Sequence, residues 1–211
     1  MLTASLRRIF YHYCMNNPVM YSDKSGRDPF DEYVYDGDIA ADFAQENYDR
    51  MADWSDRFYY EANANCARFS SACVFMGFND ESMNIVEWHD NHYLKENDVT
   101  QSWRLAKQQC EFFSKSSITI KTVQFSGSAN LSNILDEHDI MRGDLAYQVI
   151  HTDKGDKWHS VIITKVSDEM IYYTGNSKNR KDAEFTRMMY SDEGEVEIII
   201  LMLKNRRRQN D

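Results

Sequence analysis

Proline is almost absent from this chain, 2 in 211 residues, and glycine is scarce at 8. Both prolines, Pro18 and Pro29, fall within the first thirty positions, so the rest has few hard breaks and reads as dense regular structure. Long apolar runs are missing as well. The longest, Ile198 to Leu203, is six residues, against the roughly 20 needed to cross a bilayer, so no membrane span is expected. Behind the opening residues, Tyr11, His12, Tyr13, Asn16 and Asn17 interrupt any apolar leader core. The expected location is therefore cytoplasmic, with signal-independent export as the other route. Cations are in deficit, 24 Lys+Arg against 34 Asp+Glu. Displacing counterions from nucleic acid needs the opposite balance, so no nucleic-acid partner is expected. Four cysteines (Cys14, Cys66, Cys73, Cys110) contain no C-x-x-C pair and make no disulfide scaffold. Each has to be explained singly, as a small core residue or as a nucleophile.

What is present is ordinary globular composition, 42% hydrophobic and 27% charged, in a chain long enough for one domain with a real core. The loop at 22–29 divides an N-terminal helical segment (1–30) from a main body (31–203), and a basic tail follows (204–211). Helical spacing runs through Ala40, Phe43, Ala44, Tyr48, Met51, Trp54 and Phe58. The same stretch, 31–61, carries ten acidic residues against Arg50 and Arg57. It reads first as a solvated helix face and second as a surface that docks a basic protein partner. Cys66, Phe69, Cys73 and Met76 predict a second helix ending at Gly77, and Trp103, Ala106, Cys110 and Phe113 a third over about 100–114. Short β-branched and aromatic runs follow at 118–123, 145–150, 158–166, 170–174 and 196–203. Val161-Ile162-Ile163 and Ile198-Ile199-Ile200 are apolar on both faces and predict central, doubly covered strands. Helices first and strands after is an α+β order, with N-terminal helices packed on a C-terminal antiparallel sheet.

Cys66 opens an apolar helix. Free backbone N–H groups and the positive dipole end there favour a thiolate and can hold an oxyanion. The plainer alternative is a cysteine that fills space. A nucleophile needs a base, and six histidines are on offer. His12, His138 and His151 read as surface residues. His89 and His92 form H-x-x-H without further ligands at metal spacing, so no metal site is expected and no cofactor is called for. His159 begins the most hydrophobic strand, Trp158 to Thr164. It reads either as a satisfied core histidine or as the base. One strand later Asn176 follows Gly175, beside His159 if the two strands pair antiparallel, where its carboxamide oxygen would fix the imidazole tautomer.

The run Asn65-Cys66-Ala67-Arg68-Phe69-Ser70-Ser71-Ala72-Cys73, with Gly77 after it, resembles the signature of the bacterial putative amidase domain family, D-C-T-N-F-V-S-Q-C…G-G. Arg142-Gly143-Asp144-Leu145, Trp158-His159-Ser160-Val161-Ile162-Ile163-Thr164 and Tyr172-Tyr173-Thr174-Gly175-Asn176 resemble later motifs of that family in the same order. So do Ser102-Trp103, Asn179-Arg180 and the leading helix through Tyr35, Phe43, Asn47 and Tyr48. The resemblance implies a papain-like fold related to NlpC-like and CHAP-type cysteine peptidases. It implies Cys66 as nucleophile, His159 as base and Asn176 as orienter, on a peptide or peptidoglycan-like substrate. Asn65, Arg68 and Trp158 flank these and are candidates for oxyanion or substrate contacts. Departures stand at Asn65 (Asp in the family), Arg68 (Asn), Ala72 (Gln) and Asn176 (usually His). The changes at Arg68 and Ala72 keep open a catalytically eroded binding module on the same fold; delivery without a signal, with the acidic face at 31–61 docking a partner, keeps open a toxin-like effector amidase. Arg142-Gly143-Asp144 spells an adhesion tripeptide but reads as a turn before a strand. The basic tail reads as a frayed, solubilising end.

Overall fold

A computed structural model describes residues 28–55, 57–58, 65–80, 83, 85, 88–90, 99–167 and 169–209. The N-terminal segment with His12 and Cys14, and also His92, lie outside these residues.

Helix α1 (Gly37–Asn47) starts at Asp36, whose carboxylate accepts from the Asp38 and Ile39 amides. It stops well before Phe58. Asn47 turns its amide nitrogen back to the Phe43 carbonyl (2.9 Å) and accepts the Trp54 indole N–H on its oxygen (2.8 Å). A 3-10 turn at Met51–Trp54 follows. The predicted apolar stripe thus reaches the core by a bend rather than by a continuous helix.

Helix α2 (Cys66–Phe78) is buried along most of its length. Gly77 does not terminate it; Asn79, in the left-handed region at φ 48°, does. A Cβ on Gly77 would stand 2.5 Å from Tyr35 Cε2 and 3.0 Å from Ala40 Cβ, so this glycine lets α1 and α2 approach closely. The third predicted helix is two pieces, α3 (Gln101–Arg104) and α4 (Ala106–Phe113), broken at an extended Leu105. The stripe survives the break: Trp103, Ala106, Cys110 and Phe113 are all buried.

Six antiparallel strands form one sheet: β1 (Thr119–Ser126), β2 (Leu145–His151), β3 (Lys157–Val166), β4 (Ile171–Gly175), β5 (Arg180–Glu184) and β6 (Glu195–Leu203). Their order is β1-β6-β2-β3-β4-β5. A short helix, α5 (Leu131–Glu137), joins β1 to β2. β5 has no apolar pattern to announce it. It is the polar edge strand Arg-Lys-Asp-Ala-Glu, recruited by pairing with β4.

Two cores lie on opposite faces of this sheet. On the helix face Leu145, Tyr147, Val149, Ile162, Ile199 and Leu201 pack with α1, α2 and α4. On the far face Ala146, Val161, Ile163, Tyr173, Ile198 and Ile200 pack with Phe185 and Met188. The doubly apolar runs of β3 and β6 are accounted for by this arrangement.

Arg142-Gly143-Asp144 is a turn, with Gly143 at φ 92°. Asp144 is fully buried and accepts from the Met141 and Leu203 amides (2.8 and 2.9 Å), so no adhesion tripeptide is displayed. The start of the tail is not frayed. Asn205 is fully buried, its oxygen receiving the Gly37 amide and its nitrogen reaching the Arg142 carbonyl. Arg206 and Arg207 pair with Asp36 and Asp38 at 3.4 and 2.6 Å. Part of the acidic face at 31–61 is thereby answered from within the chain.

Candidate active site at the start of the second helix

Cys66 is the first residue of α2 and is partly exposed, while Cys73 and Cys110 are buried. Burial drives the Cys73 thiol well above its ordinary range. Burial, with the negative charges of Glu111 and Glu197, pushes Cys110 up to about 12. Neither is a nucleophile at neutral pH, because the thiolate is the reactive form. Asn65 forms the helix N-cap and is buried at 3% exposure, and Arg68 is buried at 4%. The side chain of Asn65 makes no capping bond to the helix amides.

Beneath the first turns of α2 lies a polar network that no motif announces. Gln109 of α4, fully buried, uses all four of its bonding positions. Its amide nitrogen donates to the Ala67 carbonyl (2.9 Å) and Ser71 Oγ (2.6 Å). Its oxygen accepts from Ser70 Oγ (3.0 Å) and Ser160 Oγ (2.6 Å). Ser70 and Ser160 touch at 2.7 Å, and Ser70 Oγ also lies 3.1 Å from the Cys66 carbonyl. Ser71 accepts the Trp88 indole N–H and donates to the Trp103 carbonyl, both at 3.0 Å. One side chain therefore ties the turn bearing Cys66 to α4 and to β3. The sequence does carry a trace of it: Gln109 interrupts the stripe Trp103, Ala106, Cys110, Phe113 at a buried helical position.

The register of β3 decides where the remaining candidates fall. Tyr147 pairs with Ser160, Gln148 with His159 and Val149 with Trp158, without a bulge. Successive side chains alternate between faces. Trp158 and Ser160 join Tyr147 and Val149 on the helix face, where Trp158 packs against the same core as Cys66. His159 goes to the far face with Val161. A Cβ built on Gly175 would stand 3.0 Å from Val161 Cγ1 and 3.8 Å from His159 Nε2. There His159 is half-buried, and burial, with the nearby charges of Arg180 and Lys178, lowers its imidazole to about 4. β3 and β4 pair antiparallel, as expected, but with Ile162 opposite Thr174. β4 ends at Gly175, and Asn176 follows it in the turn before β5. The Asn176 amide nitrogen donates to the Tyr48 carbonyl at 2.6 Å. Among the described residues no hydrogen bond joins Asn176 to His159. The structure brings Cys66, Trp158 and Ser160 to one face and leaves His159 on the other.

Of the H-x-x-H pair, His89 lies with its Nδ1 3.2 Å from the Ile85 carbonyl. Among the described residues no group of three or more His, Cys, Asp or Glu side chains could hold a metal ion, and no helix is long and apolar enough to cross a membrane.

These elements, from Tyr35 to β6, coincide with a known family. Residues 34–200 match the model of the family described as Putative amidase domain, and the chain belongs to that family. The family places it among proteins of amide hydrolysis. No curated protein and no solved structure matches the chain.

Proposed function

We propose that the chain is a cysteine-dependent amide hydrolase of papain-like design, acting on peptide bonds of the kind found in peptidoglycan stems. The family match over 34–200, with a partly exposed cysteine at the first position of its central helix, carries this reading. Cys66 Sγ attacks the carbonyl carbon, the C–N bond breaks, and water then releases the acyl group from the thioester. The Cys66 backbone N–H, at the first position of the helix, is the proposed oxyanion donor. His159 is the proposed base, taking the thiol proton and returning it to the leaving amine, with Asn176 as its orienter. For this His159 has to come to the helix face. β3 pairs with β2 over Lys157 to Ile162 but with β4 only from Ile162 onward, so its first residues are held on one side. A one-residue slip at that end exchanges the faces of His159 and Ser160.

The orientation of His159 away from Cys66 favours a second reading, a binding module on the same scaffold with an eroded site. Turnover of amide substrates, including muropeptides, by wild type and His159→Ala separates the two. Hydrolysis that falls about a hundredfold or more in the variant identifies the base. Hydrolysis abolished by Cys66→Ala but unchanged in His159→Ala puts the base elsewhere. If no amide is cleaved and no cysteine alkylates faster than the others, the chain is a binding module.

A further inference from the structure

β3 leaves the Cys66 network at Ser160 and, four residues and about 13 Å further along the strand, borders a cleft. The cleft has a volume of about 460 Å³ and opens between α1, the turn before β2, the end of β3 and the C-terminal segment. That volume suits a small metabolite. In a chain of net charge −10, three cations from three separate elements line it: Arg142 from the turn, Lys165 from β3 and Arg207 from the C-terminal segment. Two acids, Asp42 and Asp139, line it as well. The backbone at both arginines is fixed by one fully buried side chain. Asn205 donates to the Arg142 carbonyl at 3.1 Å and accepts the Arg207 amide at 3.2 Å.

Unspent bonding capacity decides which sign of ligand the cleft suits. The carboxylates in and around it are already supplied. Asp42 accepts from Arg142 at 2.6 Å, and Asp38 stands between Arg142 and Arg207 at 3.4 and 2.6 Å. Asp182 takes Thr164 Oγ1 and Gln45 Nε2 at 2.7 and 2.8 Å, and Asp139 is engaged too. Donors are left over. Arg142 Nε is buried and makes no hydrogen bond. The Lys165 ammonium lies 5.1 Å from the centre of the Tyr172 ring, and among the described residues no carboxylate comes within ion-pair distance of it. Guanidinium and ammonium donors without acceptors suit an oxyanion. We infer that this cleft binds a small molecule carrying a carboxylate or a phosphate, held by Lys165, Arg142 and Arg207. The site is separate from Cys66 and does not rest on the hydrolase reading. Asp139 is the acid of the lining that opposes the ligand, and it limits the affinity. A bound ligand joins β3, the turn and the C-terminal segment, and so stabilises the fold.

The test is calorimetric binding to the full-length protein at fixed ionic strength, with inorganic phosphate and N-acetylalanine as probes. N-acetylalanine amide, which lacks the carboxylate, is the neutral control. At least one of the two anions should bind at millimolar concentration and raise the melting temperature, and the amide should do neither. The anion that binds more tightly tells whether a phosphate or a carboxylate is the natural headgroup. Lys165→Met, at an exposed position, should weaken binding about tenfold or more, the effect of losing one hydrogen bond between charged groups. Should that variant not fold, Arg207→Gln carries the same requirement. Lys121→Met on β1 removes the same charge far from the cleft and should leave the affinity in place. Asp139→Asn should tighten binding. The inference is overturned if neither anion binds, or if the amide binds as well as the acid. It is overturned equally if Lys121→Met weakens binding as much as Lys165→Met, or if Asp139→Asn weakens it, since the cleft would then be holding a cation. Amide turnover and Cys66 alkylation read the proposed function separately, and their failure leaves these binding constants untouched.

Discussion

The two faces of β3 are built on different physics. The far face is apolar close packing, with Val161 and Ile163 against Ile171, Tyr173, Phe185, Ile198 and Ile200, all but fully buried. It is held by area removed from water and by density, and tolerates any well-filled set of side chains. The helix face mixes apolar packing with a chain of buried hydroxyls and amides running from Cys66 through Ser70, Ser160 and Gln109 to Ser71 and Trp88. Such a network is strong only when complete, because each lost partner strands another polar group in low dielectric. Apolar packing makes the sheet stable; the polar chain fixes where one helix turn sits. The cysteine is on the second face, and that is where precision is needed.

The largest effect separating the faces is on turnover. Cys66→Ala should lower amide hydrolysis by at least about a thousandfold while leaving the melting temperature nearly unchanged, since one small, partly exposed side chain is trimmed. Activity retained in this variant, measured with the same substrates and with adventitious hydrolase excluded, would detach function from the helix face altogether.

Next come two stability changes of opposite character. Ile163→Ala on the far face leaves a cavity among fully buried neighbours and should cost about 3 kcal/mol by denaturant unfolding, with turnover per folded molecule intact. Gln109→Leu on the helix face is nearly isosteric. Ser70 and Ser160 still bond each other, and Ser71 still bonds Trp88 and Trp103. The expected cost is smaller, about 2 kcal/mol, but the turn bearing Cys66 loses its tether at the Ala67 carbonyl, and turnover should drop about tenfold or more. If Gln109→Leu changes stability alone, the polar network is packing by other means and the contrast between the faces collapses.

This contrast also explains what could be read from the sequence. The far face was legible because period-2 alternation and the runs at 161–163 and 198–200 encode burial directly, and burial is what holds it. The α+β order, the start of α2 at Cys66 and the turn at Gly143 came through for similar local reasons. The bend after Asn47 did not. It depends on a side chain bonding Phe43 and Trp54 at once, and sequence spacing cannot distinguish that from a continued helix. β5 was invisible because its strand character is lent by β4. The docking of Asn205 against Gly37 and Arg142 is a contact between ends of the chain, carried by no local pattern. The sequence offers Cys66, His159 and Asn176 as candidates by residue type, but it does not say which way each faces. The choice between His159 and Ser160 for the helix side turns on a one-residue register, the quantity that apolar residues on both faces of β3 specify least.

The smallest prediction tests that register. On the far face the His159 imidazole is lowered to about 4 from an ordinary 6.5, with burial the main cause. Between those values the unfolded chain binds a proton that the folded chain refuses, so folding stability falls as pH drops from 6.5 toward 4 and levels off below. His159→Asn should flatten that part of the profile. The quantity to follow is the difference in melting temperature between wild type and variant, measured from pH 8 to 3.5. It should shrink as pH falls through the window. His151, raised by its hydrogen bond to Asp156, contributes with the opposite sign: its stabilisation is present below 6.5 and fades as pH rises through its folded value. It is exposed and common to both proteins, so it cancels in the difference. Suppose instead that β3 in solution presents His159 to Cys66. An imidazolium paired with a thiolate would then hold the folded value above 6.5. The stabilisation from His159 would be complete at acid pH and lost on the alkaline side, reversing the sign of the difference curve. The direction of that curve reports which face of β3 the histidine occupies.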